Sequence, residues 1–244
     1  MKLIIDIGNT ITKAAVFSGN EMKAHFEYES VNEFNGQKLV KQFKIKNCFV
    51  SCVADHLMQG LVVEQLLELV PVQVFSSNHI LPFKNKYKTP KTIGTDRLAA
   101  VAGGNFLYPN KDVLVIDAGT CIKYNFINKK NEFLGGGISP GLRMRFTALS
   151  EGTALLPEVS INPKFDSLIG TNTTDSILSG VLMGAITEVD GIIDQYKKLY
   201  NNLTVVITGG DGNFFAERLK NSIFADQFLI LKGLNVILDT VINE

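Results

Sequence analysis

A short pattern occurs twice in the 244-residue chain, about half a chain apart, and no other feature restricts the fold as strongly. Leu3-Ile4-Ile5-Asp6-Ile7-Gly8-Asn9-Thr10-Ile11-Thr12-Lys13 aligns, with one gap at Asn9, with Val113-Leu114-Val115-Ile116-Asp117-Ala118-Gly119-Thr120-Cys121-Ile122-Lys123. Each copy is an apolar strand that closes on Asp-x-Gly, followed by Thr and Lys. A buried strand ending this way makes a tight turn in which the glycine lets the backbone approach a ligand closely. A duplicated unit limits the architecture more than any local propensity does.

After each copy comes a second apolar stretch, Ala14–Phe17 and Tyr124–Ile127, and then polar turn residues, Ser18-Gly19-Asn20 and Asn128 to Asn131. Each half therefore opens with a β-hairpin. In the first half the pattern predicts a strand over 47–53, a helix over 57–69, a strand over 72–75 and a helix from Thr95 or Asp96 through Phe106. In the second it predicts a long helix over 174–200, with apolar residues from Ile177 to Tyr196 at helical spacing, and a buried strand over 203–208. Shorter helices follow over 214–220 and 234–241. Gly135 to Gly141, interrupted by Pro140, reads as a shaped loop near ligand. The expected fold is α/β: two related domains with mixed sheets, residues 1–110 and 111–244.

Composition narrows the partners. Basic and acidic residues number 24 each, so the chain lacks the positive excess that nucleic acid or an anionic membrane usually demands. The N-terminal apolar run stops at Asp6, too early for a signal peptide, and a cytoplasmic location is expected. Cys48, Cys52 and Cys121 have no Cys-x-x-Cys spacing, and His25, His56 and His79 form no pair at helical spacing. Neither a disulfide framework nor a histidine-bound metal is expected.

The first turn, Asp6 to Lys13 with Gly8 at its bend, offers a carboxylate at Asp6 for hydrated magnesium, backbone amides for phosphate oxygens, and donors at Asn9, Thr10 and Lys13. Neither a Gly-x-x-x-x-Gly-Lys-Ser/Thr loop nor a Gly-x-Gly-x-x-Gly fingerprint is present. Gly209-Gly210-Asp211-Gly212 ends a strand and supplies a third turn able to lie against adenine or ribose. Asp96 and Arg97 set a proton acceptor beside an anion clamp, groups of the kind that phosphoryl transfer to an alcohol uses. Taken alone, Asp96 also suits a helix cap.

Together the three turns resemble the phosphate-1, phosphate-2 and adenosine elements of the acetate and sugar kinase, Hsp70 and actin superfamily. Further strings occur in the order and spacing of the type III pantothenate kinases. They are Gly94-Thr95-Asp96-Arg97, Asp117-Ala118-Gly119-Thr120, Gly136-Gly137-Ile138-x-Pro140-Gly141, Leu149 with Thr153-Ala154 and Leu156-Pro157, and Asn172-Thr173 with Gly180. Cys121 stands where that family commonly has alanine.

The resemblance implies two ribonuclease H-like domains with the nucleotide between them, and phosphorylation of pantothenate on the way to coenzyme A. It assigns ATP to Asp6, Gly8, Asn9, Thr10, Lys13 and Thr120, and pantothenate to Tyr87, Gly94, Thr95, Asp96, Arg97 and Thr173. Asp96 is the implied base, Asp117 the ligand of a monovalent cation (potassium or ammonium), and Asp6 the place for magnesium. A homodimer is implied, with Thr173 supplied by the partner. Two alternatives stand beside it at this point: a kinase of sugars or other small alcohols, and a non-catalytic, nucleotide-responsive regulator.

Overall fold

The computed structural model describes residues 1–54 and 56–242. In chain order the elements are β1 (Lys2–Ile7), β2 (Thr12–Ser18), β3 (Glu21–Tyr28), α1 (Gly36–Phe43), β4 (Asn47–Cys52), α2 (His56–Leu67), β5 (Val72–Val74), β6 (Lys84–Asn85) and α3 (Thr95–Leu107). They continue with β7 (Val113–Ala118), β8 (Cys121–Asn128), β9 (Glu132–Pro140), α4 (Leu142–Glu151), α5 (Thr173–Leu199), β10 (Thr204–Thr208), α6 (Gly212–Ala216), β11 (Phe224–Ala225) and α7 (Leu229–Ile242). The chain divides into two compact units: Met1–Asn110 with Lys130–Leu134 and Phe228–Glu244, and Lys111–Lys129 with Gly135–Gln227. The C-terminal helix, read from sequence with the second half, thus belongs to the first unit.

In the first unit the sheet order is β3-β2-β1-β4-β5. The β1–β2 and β2–β3 pairs are antiparallel, while β1–β4 and β4–β5 are parallel. Central β1 is covered on both faces, and Leu3, Ile4, Ile5 and Ile7 are fully buried. That explains a continuous apolar run where a half-exposed strand would alternate. In the second unit the order β11-β10-β7-β8-β9 repeats the arrangement, with β7 in the place of β1. Here β7–β8 is antiparallel, and β7–β10 and β10–β11 are parallel. The sequence duplication is therefore a duplication of a mixed sheet.

Each unit has its own apolar core. In the first, Leu3, Ile5, Val16, Val50, Val62 and Leu66 pack together. Cys48 lies in this core, and burial pushes its thiol up to about 12, which makes it a packed hydrophobe. In the second, α5 crosses the sheet with Leu182, Ala185, Val189 and Ile193. Among the described residues α5 is the one helix long and apolar enough to cross a membrane, and half of its apolar window is buried within the protein. Asp190 on its buried face, 3% exposed, accepts hydrogen bonds from the backbone amides of Lys220 (3.2 Å) and Asn221 (3.1 Å), which fastens the segment before β11 to the helix.

The glycine run behaves differently from the loop expected of it. Residues 135–140 form the end of β9, with Gly135 and Gly136 at φ 114° and 154°. A Cβ on Gly136 would lie 1.8 Å from the Tyr124 carbonyl oxygen, so the run admits β8 where any side chain would block it. Periodicity also left β3, α1, β6, α4 and β11 unassigned, and the helix expected over 214–220 is confined to Gly212–Ala216.

Helix α7 starts at Leu229, not after Gly233. Glycine inside a helix is unfavourable by about 1 kcal/mol relative to alanine, which argues from sequence for a later start. Packing overrides that preference. A Cβ on Gly233 would lie 1.9 Å from the Ala99 carbonyl oxygen, and one on Gly103 would lie 2.3 Å from the Leu229 carbonyl oxygen. The two glycines let α3 and α7 touch backbone to backbone. Gly233→Ala should therefore destabilise the protein by about 1–3 kcal/mol despite its higher helix propensity, measured as a lowered midpoint of chemical unfolding. An unchanged or raised midpoint would contradict the close crossing.

Candidate functional site

In the first unit, Asp6 stands near the end of β1 and the exposed residues Asn9 and Thr10 form the turn. The Gly8 amide donates to the Ile11 carbonyl at 3.2 Å, closing the loop into β2. Register places Lys13 opposite Asp6, and its Nζ lies 3.2 Å from Glu27 Oε1. On the other side, Asp6 is registered with Ser51 of β4, which is fully buried. Ser51 and Thr95 share a hydroxyl hydrogen bond of 3.2 Å. The Asp6 turn and the head of α3 are thus joined through β4. Sequence reasoning missed Ser51, although a serine inside an otherwise apolar buried strand is the kind of signal that marks such a link.

At the head of α3, Gly94 is the N-cap and Asp96 lies in the first turn, where the helix dipole favours a negative charge. Asp96 Oδ1 accepts from the Arg97 amide at 2.8 Å. A Cβ on Gly94 would stand 2.5 Å from that same oxygen, so the glycine gives the carboxylate its room. Asp96 and Arg97 are 7% and 5% exposed. The guanidinium carbon of Arg97 is 5.4 Å from the Tyr87 ring centre and 5.9 Å from that of Phe133. These two rings stack at 6.1 Å with 12° between their planes. Their meeting depends on β6, which pairs with the first residues of β9, Lys84 with Glu132 and Asn85 with Phe133. Tyr87 and Gly94 to Arg97, separated in sequence, therefore form one cluster. Phe133 is a member that sequence reasoning did not assign.

In the second unit, Asp117 ends β7 at 6% exposure, and Lys123 Nζ lies 3.0 Å from its Oδ2. Thr120 is exposed at the turn. Two further segments close on that turn. The Asp211 amide donates to the Ala118 carbonyl at 2.9 Å, and Gly209, at φ 94°, leaves room for the same carbonyl. The Gly141 amide donates to the Thr120 carbonyl at 3.1 Å, and a Cβ there would fall 2.2 Å from Gly119 O and 2.5 Å from Thr120 O. Burial raises the Asp211 carboxyl, with Arg143 opposing.

Arg145 Nη2 donates to Glu188 Oε2 at 2.5 Å and Ser139 Oγ at 2.8 Å. Burial alone would raise the Glu188 carboxyl, but hydrogen bonds from Arg145, Ser139 and Tyr124 bring it below the usual carboxylate range. Arg145 thus serves as an internal ion-pair partner. Thr173, the first residue of α5, borders a separate apolar groove of about 730 Å³ between α4 and α5, which Met144, Leu149, Leu156, Ile177 and Val181 also line.

A single acid in the first turn suits magnesium that is held mainly by phosphate oxygens, since that ion keeps several waters and needs few protein ligands. Asp117 differs, because an ammonium group already lies against its carboxylate. The residues present do not fit a free monovalent ion at that oxygen.

The sequence model of the type III pantothenate kinase family matches residues 2–195. The chain belongs to this family. A type III pantothenate kinase of Flavobacterium johnsoniae is 43% identical over 241 residues, covering 96% of each chain. One of Phocaeicola vulgatus is 42% identical over 240 residues, covering 98% of each. Among solved structures, a conjectured Baf family transcriptional activator of Campylobacter jejuni aligns over 99% of this chain and all of that one, with a TM-score of 0.63 at 22% identity. The ROK hexokinase of Thermus thermophilus aligns over 98% and 99%, with a TM-score of 0.52 at 11% identity. At these identities the likeness is one of fold, the duplicated α/β architecture with mixed sheets expected from sequence.

The tight seat of Gly141 gives a direct test of the second turn. Gly141→Ala should displace Gly119 and Thr120 and weaken binding of a non-hydrolysable ATP analogue by about tenfold in calorimetry, with the fold retained. Unchanged affinity would remove this turn from the nucleotide site.

Proposed function

We infer that this type III pantothenate kinase transfers the γ-phosphoryl group of ATP to the hydroxyl of pantothenate, giving 4'-phosphopantothenate for coenzyme A synthesis. Family membership over most of the chain supports the reaction. The observation that supports the residue roles is the buried cluster of Asp96, Arg97 and Tyr87 in the first unit.

In this reading the Asp96 carboxylate accepts the proton of the attacking hydroxyl as the oxygen–phosphorus bond forms in line with the departing ADP. Arg97, held against the Tyr87 and Phe133 ring faces, pairs with the substrate carboxylate, to which a planar guanidinium offers two parallel donors. Gly94 and Thr95 shape the backbone around the substrate. The turn that follows Gly8, with Asn9, Thr10, Lys13 and Thr120, holds the ATP phosphates, and Asp6 takes a magnesium-bound water. Magnesium, when bound, neutralises charge on the phosphates and on the group in transfer. A positive charge against Asp117 completes the set, and the resemblance assigns it to potassium or ammonium. In this reading the reaction takes place in the cytoplasm.

The protein acts as a homodimer in this proposal, with Thr173 reaching the partner's pantothenate. The groove between α4 and α5 supports it, as do Leu155, Leu168 and Ile169, which are 93%, 76% and 75% exposed. Large apolar side chains exposed to this degree suit an interaction face.

Purified protein with ATP, magnesium and pantothenate should yield 4'-phosphopantothenate by mass spectrometry, whereas turnover of sugars in its place would overturn the substrate assignment. Asp96→Asn keeps a polar group at the helix head and removes the proton acceptor. It should lower kcat by roughly 10²- to 10⁴-fold with unchanged thermal unfolding. Near-normal turnover would exclude Asp96 as the base.

Mixing subunits tests the shared site. An Asp96→Asn protomer combined with a Thr173→Ala protomer should regain activity, because one of the two composite sites in each heterodimer carries neither change. Verified heterodimers without recovery would refute the sharing of Thr173.

A further inference from the structure

The two copies of the duplicated hairpin place a lysine across from each turn carboxylate: Asp6 is registered with Lys13, and Asp117 with Lys123. Residues directly opposite on an antiparallel pair emerge on the same face, so each lysine starts within reach of its aspartate. The two copies then diverge. Lys13 lies against Glu27, its register partner on β3, at 3.2 Å, and the two side chains are 24% and 48% exposed. Lys123 lies against Asp117 at 3.0 Å, and the side chains are 19% and 9% exposed. One pair is solvated, while the other is largely withdrawn from water.

We propose that the Lys123 ammonium is the resident monovalent cation of the second phosphate turn, and that it makes the reaction independent of added potassium or ammonium. This rests on the reading of that turn as part of an ATP-dependent kinase site. A primary ammonium has the charge of an ammonium ion and comparable size. Its three N–H donors can be shared between a carboxylate and a neighbouring anionic oxygen. Because it is tethered to β8, no ion has to be captured from solution. A second, free cation at the same carboxylate would sit beside a like charge in a poorly screened place, where repulsion is stronger than in bulk water. The same contact accounts for the burial of Asp117, since a carboxylate at 6% exposure requires a charge or hydrogen-bond partner.

The test compares wild type, Lys123→Met and Lys123→Gln in potassium, ammonium, sodium and tetramethylammonium chloride at equal ionic strength and fixed magnesium. Two quantities are read: the rate of ADP release with pantothenate, and the calorimetric affinity for a non-hydrolysable ATP analogue. Wild type should vary by less than about twofold across the four salts in both. Each variant should fall about tenfold or more in tetramethylammonium and recover in potassium or ammonium. A wild type strongly activated by potassium, with affinity following, would overturn the proposal, and so would folded variants that match wild type in every salt. The wild-type series decides the matter even if a variant fails to fold. Salt-independent nucleotide binding without ADP release would defeat the kinase reading and leave the charge arrangement intact, so the two failures are distinguishable.

Discussion

Burial of two charged neighbours at the head of α3 is the constraint on which the first unit depends. Asp96 and Arg97 are both more than nine-tenths withdrawn from water, and charges so placed are costly unless each finds compensation. Compensation comes from several directions at once. The first turn of a helix favours the carboxylate, the Arg97 amide donates to it, and two stacked aromatic rings face the guanidinium. None of these tolerates much movement of α3. The mutual glycine contact with α7 supplies the rigidity, since Gly103 and Gly233 allow backbone contact where side chains would hold the helices apart.

The second unit meets a related demand with other means. Its turn is fixed by backbone packing from two directions, Gly209 on Ala118 and Gly141 on Gly119 and Thr120. Its one deeply withdrawn acid at the turn, Asp117, is balanced by a lysine from the neighbouring strand. Duplicated hairpins with the same strand order have thus been put to different electrostatic use. In the first copy β3 carries Glu27 opposite the lysine and draws it outward. In the second the lysine stays with the turn.

Legibility from sequence followed the strength of the physical signal. The duplicated strand-turn pattern and the long apolar periodicity of α5 specify elements by themselves, and both halves of the architecture were readable from them. Edge strand β3, with alternating exposed and half-buried residues, and two-residue strands such as β6 and β11 carry too little pattern to be seen. Glycine-rich Gly135–Gly137 reads as a loop where the chain forms a strand, and the last helix begins before Gly233 and not after it. In both, close approach of another backbone outweighs intrinsic preference, and such an approach cannot be read from a local window. Of the candidate site, Gly94–Arg97 stand in a motif string and Tyr87 follows from the family resemblance, but their physical union was not legible. It runs through Phe133 and the β6–β9 pairing, and involves residues about forty positions apart.

Ser51 ties the first turn to the head of α3. The parallel register of β1 and β4 sets Asp6 beside Ser51, and Ser51 is hydrogen-bonded to Thr95, the residue before Asp96. The Asp6 turn and the proposed base are therefore connected through the interior of a sheet, by one strand pairing and one hydroxyl contact. Loops could bring the same groups together, but their separation would fluctuate with the loops. A separation set by strand register is held in advance of ligand binding, and such preorganisation lowers the cost of reaching the geometry of an in-line transfer.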